Sequence, residues 1–304
     1  MKAFFVFSGQ GAQSVGMGRD LYDSSPAAKA IFDRADRALG YSLSDIIWNG
    51  PIETLTDSRF CQTAIYTTSC AALAAFQEKV TITPVACAGL SLGEYAALYA
   101  GKAFDFETGL QLLKRRGELM DAACKANPGG MASILGAERE LIEKVCREVD
   151  LDIANYNSPA QIVISGPKDK IDAACAKLRE AGVRKIIVLN VAGSFHSRLM
   201  KSAGEELKSA LAAAKIAAPE VAVLHNYTAL PAGTPDEIRA NLAAQVSGSV
   251  KWEMCLRYAV ETLGADTVIE FGPGNVLTGL ARRTIEGLSL ININSSTSLD
   301  ELSI

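Results

Sequence analysis

A chain of 304 residues that is 49% hydrophobic and 21% charged, with ten prolines, has the composition of a well-packed globular protein and excludes a disordered, collagen-like or coiled-coil chain. A formal charge of −4 and a pI near 5.4 argue against nucleic acid as the main partner, which would call for clustered Lys and Arg in excess. The seven cysteines stand singly, are odd in number and include no CxxC pair, so they spell neither a disulfide framework nor a zinc site and read as small buried hydrophobes.

In chain order, the first predicted element is a short apolar strand, Ala3–Phe7, running into the polar, Gly-rich loop Ser8-Gly9-Gln10-Gly11-Ala12-Gln13. The strand follows Met1 and Lys2 directly, with nothing resembling a signal peptide, and no apolar run reaches the ~18 residues that span a bilayer, so a cytoplasmic protein without membrane partners is expected. Helical patterns follow over Pro26–Leu39 and Gln62–Gln77, then a strand over Pro84–Gly89 and helices over Leu92–Ala100 and Phe106–Cys124. This order predicts a parallel α/β sheet.

At Asn127-Pro128-Gly129-Gly130 the rhythm changes. Strand Met131–Leu135, helix Glu138–Val149, strands Leu151–Tyr156 and Gln161–Ser165, helix Lys168–Ala181 and strand Val183–Val191 spell βαββαβ, the ferredoxin-like plan. The expected organisation is a large α/β domain over 1–126 and 193–304, hydrolase-like in its sheet, with a small domain inserted at 127–192. The α/β alternation then resumes with helix Arg198–Ala214, strand Val221–His225, helices Asp236–Gln245 and Val250–Leu263, strand Thr267–Phe271, a Gly272-Pro273-Gly274-Asn275 loop and helix Val276–Ile285. Leu288–Asn292 closes as a strand, and the tail Ser295–Ile304 is expected to be loosely ordered.

The most informative segment is Gly89-Leu90-Ser91-Leu92-Gly93, a Gly-x-Ser-x-Gly between a predicted strand and helix. A strand-to-helix turn this tight tolerates only tiny flanking side chains; it lifts the serine hydroxyl clear of the backbone and aims free helix N–H groups at negative charge forming on a substrate. The plainer alternative is a Gly-rich turn with Ser91 as a helix cap. A serine nucleophile needs a base, and the chain has two histidines. His196 lies in a loop suited to a site; His225 ends a strand, where a structural role fits better. No acidic third member can be picked out, and a backbone carbonyl could orient the imidazole equally well.

Six segments, Phe7-Ser8-Gly9-Gln10-Gly11-Ala12-Gln13, Gly89-Leu90-Ser91-Leu92-Gly93-Glu94-Tyr95, Arg115-Arg116-Gly117, Asn155-Tyr156-Asn157-Ser158-Pro159, Gly193-Ser194-Phe195-His196-Ser197 and Glu270-Phe271-Gly272-Pro273-Gly274, together resemble the malonyl-CoA:acyl carrier protein transacylases of fatty acid synthesis. The resemblance implies a two-step acyl transfer from malonyl-CoA to acyl carrier protein, with no metal or redox cofactor. It implies Ser91 as the acylated nucleophile, His196 as base, the N–H groups of Gln10 and Leu92 as oxyanion hole, and Arg116 as holder of the malonyl carboxylate. Gln245 would lend a carbonyl to His196; Gln62 and Asn157 would line the cleft, and Phe195 would crowd acyl groups bearing an extra methyl. The alternative for Arg116 is an exposed helix charge beside Lys114 and Arg115. Arg184, Lys185, Arg282 and Arg283 are candidate docking cations for an acidic carrier, against a reading as solvated surface charge. Two positions depart from the family's pattern: Leu90 where His is usual, and Ser249 where Pro commonly precedes Val250. Rival functions are a polyketide acyltransferase, a serine thioester or ester hydrolase that uses water in place of the thiol, and a non-catalytic interaction protein.

Overall fold

The computed structural model describes residues 1–302. Among the described residues nine strands form two sheets: β1 (Ala3–Phe7), β2 (Ala86–Gly89), β3 (Gly130–Leu135), β4 (Asp152–Ser158), β5 (Gln161–Gly166), β6 (Lys185–Val188), β7 (Ala222–Val223), β8 (Thr267–Phe271) and β9 (Ser289–Ile293). The larger sheet is parallel throughout, in the order β7-β2-β1-β8-β9. Strand β1 is buried on both faces, which explains its uninterrupted apolar run. Phe5 and Phe7 join the core beneath one face, while Phe4 and Val6 join the core on the other. On the first side the Phe5 ring meets Phe76 and Phe271 edge-on, with centroids 5.9 and 4.9 Å apart. Phe76 belongs to the helix Ser58–Lys79, buried along most of its length. The other face is covered by the helices Trp252–Arg257 and Val276–Thr284.

The smaller sheet is antiparallel, in the order β4-β5-β3-β6, the arrangement a βαββαβ chain takes when its two helices pack on one face. Ala132, Ile134, Ile162 and Ile164 meet the helices Arg139–Val149 and Lys168–Glu180 in a separate core. The opposite face turns Met131, Ala154 and Val163 into the core of the larger sheet. A bridge between Asn155 and Val250 ties the two parts together.

Several elements differ from the sequence expectation. Short helices at Arg19–Ser24, Leu43–Asn49 and Ile52–Thr56 are too brief to show a periodicity, and the long helix begins at Ser58, capped by Asp57. Strand β6 is shorter than 183–191, and β7 shrinks to two residues because the chain folds back, the His225 N–H reaching the Leu230 carbonyl at 3.1 Å. The helix expected over 250–263 starts at Trp252 and loosens to a π-turn at Tyr258–Thr262. The tail reading is corrected: Ser296–Asp300 is helical, closed by a Ser295/Ser298 capping box and by Asp20, whose carboxylate accepts from the Ser296 hydroxyl at 3.0 Å. Only positions 303–304 of that tail lie outside the described residues. All seven cysteines are free and buried, and among the described residues no helix is long and apolar enough to cross a membrane.

Candidate active site

Ser91 stands between the end of β2 and the helix Gly93–Ala100, with φ of 54° in the left-handed region. For a residue with a side chain this conformation costs about 1–3 kcal/mol, and the surroundings must impose it. Two glycines make the turn possible. A Cβ on Gly89 would run into the main-chain carbonyl of Gly93, and one on Gly93 would run into the carbonyl oxygen of Phe7 at the end of β1. Asn226 then clamps the turn: its Oδ1 accepts the Ser91 N–H at 2.7 Å and its Nδ2 donates to the Gly89 carbonyl at 2.8 Å.

His196 also sits at φ of 54°. Its Nε2 lies 2.8 Å from the Ser91 hydroxyl, and its Nδ1 lies 2.8 Å from the main-chain carbonyl of Gln245. That carbonyl can only accept, so Nδ1 carries the proton and Nε2 is left with a lone pair toward Ser91. Burial first, and then the charge of Arg116, push the imidazole pKa down to about 4. His196 is therefore neutral at physiological pH.

Arg116 is 1% exposed, which removes the reading as a surface charge. It points inward from the helix Phe106–Ala126 on the same face as Leu112, Leu113 and Met120. Its Nη1 donates to Gln62 Oε1 at 2.7 Å; its Nη2 donates to Ser91 Oγ at 3.0 Å and to Gln245 Oε1 at 2.9 Å. The Nε–H is buried with no partner among the described residues. Burial pushes the guanidinium pKa down, opposed by Tyr95 and Glu94, yet an arginine stays charged. Among the described residues no carboxylate touches this cation; its partners are neutral amide and hydroxyl oxygens. Arg115, by contrast, is exposed and faces Glu118 and Glu206 at 3.5 and 3.8 Å.

Five of the residues singled out from sequence, Ser91, His196, Arg116, Gln62 and Gln245, thus form one hydrogen-bonded cluster. Gln10 and Leu92 flank it, Gln10 on the loop after β1 and Leu92 at the start of the elbow helix. Neither main-chain N–H is engaged by an acceptor among the described residues. The Leu90 side chain packs on Gly9 of the same loop. Phe195 is buried next to His196; Asn157 lies buried on β4, and among the described residues its Oδ1 has no partner and no hydrogen bond joins its side chain to the cluster. His225 faces away from Ser91, onto Glu94 at 2.6 Å. Arg184, Lys185, Arg282 and Arg283 are exposed and form no ion pair among the described residues. Among these residues, too, no group of three or more His, Cys, Asp or Glu could hold a metal ion.

Sequence reasoning passed over two contributors. Asn226, the clamp of the elbow, follows a strand and resembles any polar strand-end residue. Glu94 lies inside the Gly-x-Ser-x-Gly-Glu segment, and the one available signal was a lone carboxylate in the otherwise uncharged helix Gly93–Ala100.

The family model of the acyl transferase domain matches residues 4–300. A malonyl CoA-acyl carrier protein transacylase of Bacillus subtilis is 39% identical, covering 98% of this chain and 95% of its own. A polyketide biosynthesis malonyl CoA-acyl carrier protein transacylase from the same organism is 41% identical over 92% of this chain and 96% of its own. Among solved structures, an acyl carrier protein S-malonyltransferase from Vibrio cholerae superposes with a TM-score of 0.96 at 36% identity, covering 100% of both chains. A malonyl-transacylase in complex with a type II polyketide synthase acyl-carrier protein gives 0.95 at 34% identity, covering 99% of this chain and 98% of that one. By this match over nearly its full length, the chain belongs to the acyl transferase domain family, in its malonyl-CoA:acyl carrier protein transacylase branch.

Proposed function

We propose that the protein transfers a malonyl group from malonyl-CoA to the phosphopantetheine thiol of acyl carrier protein, in the cytoplasm, supplying fatty acid synthesis. The observation that carries this reading is Arg116: a buried cation with no carboxylate partner among the described residues, 3.0 Å from the Ser91 hydroxyl. A hydrolase of neutral esters has no use for such a charge, whereas the free carboxylate of a malonyl group matches a guanidinium fork.

Ser91 Oγ attacks the thioester carbonyl carbon while its proton passes to Nε2 of His196, and the developing oxyanion is met by the N–H groups of Gln10 and Leu92. The tetrahedral intermediate collapses, the carbon–sulfur bond breaks, and the departing thiolate takes the proton from His196. The carrier thiol then attacks the Ser91 ester by the reverse sequence, returning the proton to Oγ. Every proton and electron pair is accounted for by these groups, so the reading calls for no metal or redox cofactor. Gln62 and Asn157 line the cleft in this reading, and Phe195 narrows it against branched acyl groups. Because the polyketide relative is 41% identical over 92% of this chain, beside 39% over 98% for the other transacylase of that organism, a second reading has the carrier belonging to a polyketide synthase; loading the two carrier types side by side separates them.

Initial rates varied in both malonyl-CoA and carrier protein should give parallel double-reciprocal lines, since the first product leaves before the second substrate arrives. Intersecting lines would reject the acyl-enzyme route. The pH dependence gives a separate test. His196 must be neutral to accept the Ser91 proton, and its pKa lies near 4 rather than the ordinary 6.5. Activity should therefore hold down through pH 6 and fall only as pH approaches the lowered value. Replacing Arg116 with Gln removes the nearby positive charge and should move this acidic limb to higher pH. A wild-type limb centred at pH 6.5 would contradict the burial and charge ascribed to His196.

A further inference from the structure

Behind the elbow lies a second buried cluster that the transfer steps do not use. Glu94 and His225 are both fully buried. Glu94 Oε1 accepts from His225 Nδ1 at 2.6 Å, while its Oε2 accepts from the Asn226 N–H at 2.8 Å and from the Gln245 side-chain amide at 2.8 Å. Three donors converge on one carboxylate. The Gln245 Nε2 is also shared with the Ser91 carbonyl at 3.0 Å. An amide carries its donor and its acceptor on opposite sides, so fixing the nitrogen end decides where the oxygen points. In this structure it points at Arg116 Nη2, 2.9 Å away.

We propose that Glu94 is a positioning residue for acidic acyl groups: by holding the Gln245 amide in one orientation it sets the Arg116 fork beside Ser91 before substrate arrives. With an amide in place of the Glu94 carboxylate, one of its two acceptor positions becomes a donor. Where that donor faces Gln245, the nitrogen end of the amide is held by the Ser91 carbonyl without the carboxylate, and a flip would set its NH2 group against the guanidinium, where two donors cannot satisfy each other. Arg116 would lose its preset direction while His196, held by the Gln245 main chain, would keep its own. A purely structural Glu94 predicts something else, an equal loss for every acyl group. The link through Asn226 to the Ser91 N–H likewise acts on all substrates alike, so the selectivity between acyl groups isolates the route through Arg116.

The inference rests on Arg116 as the malonyl anchor. Its test is kcat/KM for loading Ser91 from malonyl-CoA and from acetyl-CoA in wild type, Glu94→Gln, Gln245→Leu and the double variant. The malonyl:acetyl ratio should fall about tenfold in Glu94→Gln, mainly through the KM for malonyl-CoA, with acetyl loading within about threefold of wild type. In the Gln245→Leu background, Glu94→Gln should change the ratio no further. Should Glu94→Gln not fold, Glu94→Asp carries the same comparison, because a carboxylate one methylene shorter retracts from Gln245. An unchanged ratio, equal losses on both substrates, or independent effects in the double variant would overturn the proposal. A wild-type enzyme that loads no malonyl group would overturn the reading beneath it instead.

Discussion

Ser91→Ala is expected to abolish acyl-enzyme formation and to lower transfer to carrier protein by about 10^4-fold or more. The reason is geometric. The left-handed backbone at residue 91 and the glycines on either side present a single hydroxyl to His196, and among the described residues no other serine or threonine hydroxyl bonds its Nε2. His196→Ala should leave the hydroxyl in place without its proton acceptor and slow transfer about 10^2- to 10^4-fold. His225→Ala provides the control: its Nδ1 is bound to Glu94 and not to Ser91, so it should damage transfer less than His196→Ala. Steady-state rates with malonyl-CoA and carrier protein check all three, and a larger loss in His225→Ala would refute the assignment of the base.

Arg116→Ala should change which acyl group is accepted. In the free enzyme the guanidinium rests on Gln62, Gln245 and Ser91 oxygens. A malonyl carboxylate would replace neutral partners by an opposite charge in a buried setting, where losing one member of such a pair costs about 2–5 kcal/mol, or roughly 30- to 5,000-fold in kcat/KM. Acetyl-CoA has no carboxylate to anchor and should lose little. The check is the ratio of malonyl to acetyl loading in wild type and variant. An unchanged ratio would remove Arg116 as the anchor, and Arg115 is a poor replacement because it is exposed and faces two glutamates.

The fold was largely legible because burial leaves different marks on its parts. Strand β1 is apolar on both faces because helices cover both; the small domain announced itself by the change from long helices to short alternating elements. What stayed hidden was short or locally driven. Helices of five to seven residues carry no periodic signal, and the final helix is fixed by serine caps and a contact with Asp20, some 276 residues away in sequence. The site divides in the same way. Ser91 was visible from its glycines, and His196 stood out because the chain has only two histidines. Arg116 was singled out through the family resemblance, and its burial agrees with its place on the stripe of Leu112, Leu113 and Met120. Glu94 and Asn226 act through partners more than 100 residues distant, Asn226 on Ser91 and Gly89, Glu94 on Asn226 and Gln245. Local pattern cannot reveal such pairings.

The central claim is that the malonyl group rests on Ser91 between two thiols. Intact-protein mass spectrometry after incubation with malonyl-CoA, followed by peptide mapping and then by addition of carrier protein bearing its phosphopantetheine arm, measures this directly. A gain of one malonyl group on the peptide holding Ser91, stable until the carrier is added and then transferred to it, is the predicted result. No adduct, an adduct on another residue, or one lost to water as quickly without carrier as with it would contradict the account.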